Sequence, residues 1–383
     1  MQGKDNNVRR RNVLKMAGAS VATAAGSGLA AAKPDDTVEV NVGFESDSGR
    51  TAALDAASEV VRTFAFDALT IRAPKRAVTG LERRADVRYV EENGTYHALA
   101  QTLPWGIDRV DAEVAHANGE TGSGADIAII DTGIDDDHPD LQANVGKGKA
   151  YVDCRGRNCN YPWSDDNDHG THCAGIADAI DNTEGVVGVS TEATLHAVKV
   201  LDNSGSGSWS DVAAGIEYVA DQGWDVGSMS LGGSSGSSTV KDACQYAYNN
   251  GVLLVAAAGN DGPCSDCVGY PAAYDECIAV SATSSDDSLA SFSSTGTEVE
   301  LAAPGENIYS SIIGGYDTFD GTSMACPHVS GTGGQLMANG YTNTEARNQL
   351  QSTAEDIGLS SNEQGHGLLD TAAALGLDSS DST

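Results

Sequence analysis

From about residue 100 onward, short runs of consecutive apolar residues alternate with segments whose apolar positions recur every three to four residues. The runs are 126–130 (DIAII), 195–200 (LHAVKV), 225–230, 252–258 (VLLVAAA), 277–282 and 298–303. A strand that is apolar at nearly every position has both faces covered, so these runs predict a parallel sheet. Helical periodicity falls at 169–180, 211–222, 237–249, 323–338 and 344–353, as the crossovers of such a sheet require. Before residue 100 the rhythm differs. Residues 38–44 alternate like a strand, 51–64 carry a helical period, 66–73 read as strand or hairpin, 76–85 as helix and 87–91 as strand. That order predicts a small β-α-β-β-α-β unit ending near VEENG at 90–94. The expected fold is therefore an α/β three-layer domain with a mostly parallel central sheet, preceded by a small α+β unit. No internal repeat appears.

Composition narrows this picture. With 40% hydrophobic residues among 383, the chain can build a core, and its 45 glycines follow no Gly-X-Y period. No run approaches 18 apolar residues without Gly or charge, so no membrane span is expected after the N-terminus. A net charge of −33 argues against nucleic acid, whose phosphates would be repelled. The charge is unevenly placed: residues 1–99 hold 14 Lys and Arg against 13 Asp and Glu, residues 100–383 only 8 against 42. A domain so acidic repels itself in dilute buffer, and salt screens that repulsion. We therefore expect a protein suited to very high salt.

The N-terminus reads as an address. A basic start (RRRNVLK, 9–15), a mildly apolar Gly/Ala stretch and AAAK at 30–33 are features of a signal peptide. Arg10, Arg11, Leu14 and Lys15 follow the twin-arginine pattern, so 1–32 is expected to be removed on export, with a cut near Ala32. Outside the cell, cysteines can persist as disulfides. The eight are Cys154, Cys159, Cys173, Cys244, Cys264, Cys267, Cys277 and Cys326. Cys264 and Cys267 form one C-x2-C, but the second pair that a zinc site needs is absent. Spacing does not fix the pairing; Cys154–Cys159 and Cys244–Cys277 stand as guesses.

In parallel α/β sheets, ligands sit at the carboxyl ends of the strands. Asp131 directly follows the strand DIAII, and Asn260 ends a strand in AAAGN (256–260). His169 opens a helix in DHGTHCAG (168–175), and Ser323 opens another in GTSMACPH (321–328). Each alone is weak, since a strand-end Asp ordinarily serves a turn and a helix-opening Ser a cap. A serine hydroxyl becomes a nucleophile only when a base takes its proton, and that base needs an orienting carboxylate. GGSSG at 232–236 also fits the G-x-S-x-G nucleophile elbow, but in a Gly/Ser-rich chain that string is cheap, so Ser234 is set aside.

The order Asp, His, Ser, with DTGI at 131–134, HPDL at 138–141, HGTHCAG at 169–175, SLGG at 230–233, AAAGN, SFSS at 291–294, APG at 303–305, GTSMACPH and QGHGLLD at 364–370, resembles the subtilisin-like serine proteases over about residues 99–376. Within them it resembles the secreted haloarchaeal type. The resemblance implies a subtilisin-like fold and a triad in which Asp131 orients His169, the base for Ser323. The side-chain amide of Asn260 and the backbone N–H of Ser323 would bind the oxyanion, a donor typically worth ~10²–10³ in rate. His172 would then be structural. Ser230, Leu231 and Gly232 resemble the edge that pairs with the substrate backbone. Gly259 and Gly269 match the floor and wall of the primary pocket. Trp209 and Val212 match the pocket for the residue four before the cut, although Trp209 also reads as a partly buried core aromatic.

A structural calcium ion is implied at Gln101, Asp140, Asn182 and the carbonyls of Ile180, Glu184 and Val186, an oxygen-only set that suits Ca²⁺. No catalytic cofactor is implied. The acidic runs DDD (135–137) and DDND (165–168) read as solvated surface. Cys173 and Cys326 fall one helical turn beyond His169 and Ser323; two buried free thiols is the plainer reading, a disulfide beneath the site the sharper one. Residues 33–99 resemble the family's inhibitory propeptide, ferredoxin-like in fold, and cleavage after Leu99 would free Ala100 and seat Tyr96 and Leu99 in the two pockets. We therefore expect a secreted, extracellular, monomeric endopeptidase acting on proteins and peptides, with 100–383 as its peptidase domain and its own propeptide as inhibitor. The rival from another class is a catalytically dead peptide-binding protein on the same fold.

Overall fold

The computed structural model describes residues 37–93, 101–155 and 159–378. The twin-arginine motif, the cut near Ala32, the junction residues Tyr96, Leu99 and Ala100, and residues 379–383 of the polar tail lie outside the described residues. The chain divides into two compact units, Met1–His97 and Ala98–Thr383.

In the first unit, strands β1 (Thr37–Phe44), β2 (Glu59–Phe64), β3 (Ala68–Pro74) and β4 (Val87–Glu92) and helices α1 (Asp47–Ala56) and α2 (Lys75–Glu82) follow the order β-α-β-β-α-β. The sheet is antiparallel with strand order β2-β3-β1-β4. Alternate residues Val40, Val42, Leu69 and Ile71 face the helices and form the core with Ala53 and Leu81. The helix expected over 51–64 is corrected here. It starts earlier, at a Ser46 N-cap whose hydroxyl accepts from Gly49 N, and ends at Ala56. Residues 59–64 (EVVRTF) pair with β3 as an edge strand. Their β-branched side chains suit a pleated surface better than a helix, and solvation of both faces hides the period of two.

The second unit opens with short helices α3 (Trp105–Arg109) and α4 (Ala112–Ala117) and then winds β5 (Asp126–Asp131), β6 (Lys149–Ala150), α5 (His169–Asp178), β7 (Thr194–Lys199), α6 (Trp209–Gln222), β8 (Val226–Met229), α7 (Ser238–Asn249), β9 (Leu253–Ala257), β10 (Cys277–Thr283) and β11 (Val299–Pro304). A hairpin of β12 (Ile308–Ile312) and β13 (Gly315–Phe319) leads into α8 (Thr322–Ala338), followed by α9 (Asn343–Thr353), α10 (Ser361–Gln364) and α11 (Thr371–Ala374). The seven-stranded parallel sheet has the order β11-β10-β9-β8-β5-β7-β6. This is the subtilisin-like α/β fold expected from the sequence.

Each apolar run serves two cores. In DIAII, Ile127 and Ile129 pack with α5 and α8, while Ala128 and Ile130 pack with α6 and α7. Helix α8 lies close against the sheet because its glycines leave room. A Cβ on Gly334 would come within 2.7 Å of Ile127, and one on Gly331 within 2.7 Å of Ala177 and Val189. The β12–β13 hairpin and the short helices, absent from the periodicity reading, are too brief to show a period. Chain order places β7 on one side of β5 and β8 on the other. The order in which strands are added therefore reverses beside β5, at whose end Asp131 stands.

Candidate active site

Asp131 is the last residue of β5 and is fully buried. Its Oδ1 accepts from the backbone N–H of Thr132 at 2.7 Å and lies 2.8 Å from Nδ1 of His169. The strand end is held from beneath by the buried Lys199 on β7, whose ammonium donates to the carbonyls of Thr132 and Leu201 and to Asp166. Asp168 adopts a left-handed backbone (φ 87°) immediately before α5, so the chain turns as His169 opens the helix. The His169 side chain keeps 27% exposure.

Burial by itself would lower the His169 pKa, but the charge and hydrogen bond of Asp131 outweigh it, and the net shift is upward from 6.5. If His169 must be neutral to act as a base, activity rises with pH through a midpoint above 6.5. The ion pair's contribution to stability has the opposite sense: it is complete below the unfolded pKa near 6.5 and disappears as pH climbs through the raised folded value. The acid limb of kcat/KM is therefore expected above pH 6.5 and should move down in Asp131→Asn, together with a large rate loss. An unmoved limb in that variant would assign it to another group.

Ser323 is the second residue of α8. Its Oγ donates to the carbonyl of Ser230 at 3.3 Å, and among the described residues it makes no hydrogen bond to His169. Catalytic hydrogen bonds are commonly loose in a free enzyme and tighten around substrate. Pro327 lies four residues on and has no N–H for the Ser323 carbonyl. That carbonyl instead accepts from Ser230 Oγ at 2.7 Å and from the Cys173 thiol at 3.4 Å. Asn260 follows β9, and its Oδ1 accepts from Thr322 N at 2.9 Å and Thr322 Oγ1 at 3.0 Å. A backbone N–H can only donate, so the amide orientation is fixed, with Nδ2 left beside Gly321 at the N-terminus of α8.

His169, Trp209, Val212, Ser230, Leu231 and Gly232 line one cleft of about 470 Å³, with Tyr270 and Tyr274 on its wall. Trp209 is 57% exposed, which removes the core-aromatic reading. Gly259 and Gly269 do not line that cleft; they approach each other near Gly233, with Gly269 N donating to Ala258 O at 2.8 Å.

The six residues expected around calcium lie together. Gln101 Nε2 sits 2.8 Å from Ile180 O and 3.1 Å from Val186 O, so two carbonyls converge on one point. Asp140 is fully buried and accepts from Asn182 Nδ2 and Val186 N, and Glu184 N donates to Asn182 Oδ1. Gly185 (φ 67°) is required beside them, because a Cβ would overlap Asp140 Oδ2. The donor set fits a hard cation once the Gln101 amide turns its oxygen inward.

Some expectations need correction. Asp135 and Asp165 are buried, and the Asp166 side chain is paired with Lys199; the acidic runs are not simply solvated. Each carboxylate is satisfied internally: Asp165 accepts from Thr132 Oγ1, Thr171 N and Thr171 Oγ1, and Asp135 accepts from Gly314 N. Burial, followed by the neighbouring acids Asp137 and Asp136, pushes Asp135 up to about 6. His172 contacts the carbonyls of Ile308 and Asp317 and stacks on Phe319, and burial holds it near 4, away from base chemistry. Cys154–Cys159 and Cys264–Cys267 are disulfides, and Cys173, Cys244, Cys277 and Cys326 are buried thiols. The guessed Cys244–Cys277 bond is therefore not formed, with its sulfurs 3.9 Å apart. Periodicity passed over Thr132, Thr322 and Lys199; the lone Lys within LHAVKV was the one available signal, since a charge inside an apolar strand must be paired.

The sequence profile described as the Subtilase family matches residues 122–367. Subtilisin amylosacchariticus of Bacillus subtilis subsp. amylosacchariticus is 44% identical over 305 residues, 78% of each chain. Subtilisin E of Bacillus subtilis (strain 168) is 43% identical over 305 residues, with the same coverage. An alkaline protease of Alkalihalobacillus alcalophilus is 42% identical over 310 residues, 80% of this chain and 78% of its own.

Proposed function

We propose, from the premise that this chain belongs to the subtilase family and is a serine endopeptidase, that it is a secreted enzyme of the halolysin-like type. In this reading it prefers large apolar residues before the cut, is made as an autoprocessed zymogen and works in high salt. The observation that carries the reading is the buried Asp131 carboxylate 2.8 Å from His169 Nδ1, at the edge of a cleft lined by Ser230–Gly232. No described helix is long and apolar enough to cross a membrane. The rival reading as a dead binding protein is not retained.

The roles follow from the atoms. Asp131 fixes the proton of His169 on Nδ1, leaving Nε2 as the base that takes the Ser323 proton when a substrate displaces the Ser230 contact. Ser323 Oγ attacks the scissile carbonyl. The developing oxyanion accepts from Asn260 Nδ2 and Ser323 N–H, preorganised because Thr322 holds the Asn260 oxygen. His169 then protonates the leaving amine, and water releases the acyl group by the reverse exchange. Residues 230–232 pair with the substrate backbone as an added strand, Trp209 and Val212 bound the pocket four residues before the cut, and Gly232, Gly259 and Gly269 leave space for a large side chain. Casein hydrolysis in high salt, blocked by a serine-directed phosphonate that labels Ser323, is the test. A folded protein that neither hydrolyses casein nor takes the label would overturn the reading.

In the same reading, residues 1–32 form a twin-arginine signal and 33–99 an intramolecular inhibitor, and 100–383 is the monomeric peptidase released outside the cell. Gln101, Asp140, Asn182 and the carbonyls of Ile180, Glu184 and Val186 would hold Ca²⁺, which ties the start of the peptidase domain to two loops. Gln101 already lies against the Ile180 and Val186 carbonyls in the uncut chain, and cleavage behind Leu99 would free its amide to turn its oxygen toward the ion. Chelation is therefore expected to lower the melting temperature of the mature form by about 10 °C, the size of a ~4 kcal/mol ligand contribution in a domain of this class, and to lower the precursor's much less. Equal shifts in both forms would sink the coupling of the site to processing.

A further inference from the structure

We propose that Cys244 and Cys277 are a built disulfide site, closed by a small-molecule disulfide such as oxidised glutathione when the core between α7 and β10 opens. The two thiols lie 3.9 Å apart and are hydrogen-bonded to each other. Both are buried, among Val240, Ala247, Leu254 and Ala279. The backbone around Cys277 is fixed: β10 pairs it with Leu254 of β9, its N–H donates to Tyr274 O at 2.9 Å, and its carbonyl accepts from Arg347 at 3.1 Å. Cys244 sits within α7 on the same face as Val240 and Ala247. The sulfurs need approach by only about 2 Å to reach the bond length of ~2.05 Å. The other two thiols differ: Cys173 donates to Ser323 O, and Cys326 contacts Ser228 Oγ.

The chemistry balances without a metal or enzyme. One cysteine thiolate attacks the S–S bond of the oxidant, forming a mixed disulfide and releasing one small thiol. The second cysteine, after losing its proton, displaces the other small thiol and closes the protein disulfide. The two cysteines are oxidised and the small disulfide is reduced to two thiols. Burial makes the step conditional: with both cysteines at 0–1% exposure, the oxidant reaches them only during folding or in an opened state. A chain that folds before it meets oxidant keeps the dithiol.

The position gives the bond a consequence. Tyr274, three residues before Cys277, donates to Ser237 O and accepts from Ser237 N, the N-cap of α7, and both residues line the cleft. A Cys244–Cys277 bond would join the same two segments from the core side and close a loop of 33 residues carrying Gly259 and Asn260. Constraining a loop of that length in the unfolded chain stabilises the folded one.

The test uses the full chain, folded under reducing conditions and then held with oxidised glutathione at rising temperatures up to its melting onset. Samples are quenched in acid, alkylated in denaturant and digested at Asp and Glu; cuts after Asp242, Asp261, Asp275 and Glu276 separate the two cysteines. The expected result is a joined Cys244–Cys277 peptide pair that accumulates only near the onset, with the melting temperature raised by roughly 5–10 °C. Cys277→Ala should lack both the pair and the gain, which separates this bond from Cys154–Cys159 and Cys264–Cys267. Both cysteines alkylated in every sample, stable glutathione adducts on them, or a bond from either to Cys173 or Cys326 would each overturn the proposal.

Discussion

Ser323→Ala is expected to lower kcat on peptide substrates by about 10⁶-fold, the size known for nucleophile removal in a subtilisin. It should also leave the chain uncut between Leu99 and Ala100. Both effects have one cause. Without Oγ there is no atom for His169 to deprotonate, and what remains is binding and the oxyanion donors, which act on an attacking water far more weakly. The fold should survive, because the hydroxyl makes one described hydrogen bond, to Ser230 O at 3.3 Å. The anchors of α8 are elsewhere: the Ser323 carbonyl keeps Ser230 Oγ and Cys173, and Thr322 keeps Asn260. A melting temperature within a few degrees of wild type, with activity at background and an intact precursor on a gel, is the expected set. A variant that still matures to Ala100 when expressed alone would show that processing is done by another enzyme.

How much of this was legible in the sequence follows from where information is local. The sheet strands of the second unit were readable because burial on both faces writes itself as unbroken apolar runs, as in DIAII and VLLVAAA. Asp131 and His169 stand where the pattern put them, at the end of a strand and the start of a helix, and it was the surrounding motifs, with AAAGN and GTSMACPH, that carried the resemblance. What stayed hidden was decided by partners far along the chain. Asp165 and Asp166 look like solvated acid until Thr132, Thr171 and Lys199 are brought to them. Thr322 reads as a first-turn residue, and nothing local says that it fixes the Asn260 amide. Residues 59–64 misled because an edge strand wet on both faces loses its period, and the preceding Ala-rich stretch lends it a helical one.

The mature domain is expected to unfold as NaCl falls below roughly 1 M, an effect of screening. Residues 100–383 carry 42 Asp and Glu against 8 Lys and Arg. The Lys and Arg ion pairs there include Asp287 and Glu355 with Arg109, Asp166 with Lys199, and Glu300 with Arg347, and Lys and Arg are outnumbered about five to one. Most of the acid therefore depends on solvent. Two carboxylates 10 Å apart repel by about 0.4 kcal/mol in water, and a Debye length of about 3 Å at 1 M salt removes nearly all of it. Summed over tens of charges, the difference exceeds the 5–15 kcal/mol by which domains are typically stable. The unfolded chain spreads the same charges further apart, so part of that sum appears as lost stability in dilute salt. Melting at 0.1 M and 3 M NaCl, both with saturating calcium, should differ by about 15 °C or more, equivalent to roughly 5 kcal/mol. General salting-out of apolar groups would give a similar sign, so a charge variant separates the two causes. Asp242 on α7 and Glu217 on α6 line one shallow groove, and Asp242→Lys turns a repulsion there into an attraction. If screening is the cause, that variant needs less NaCl to stay folded and gains less from 3 M. Coincident wild-type midpoints at the two salt concentrations would leave the acid with a solubility role alone.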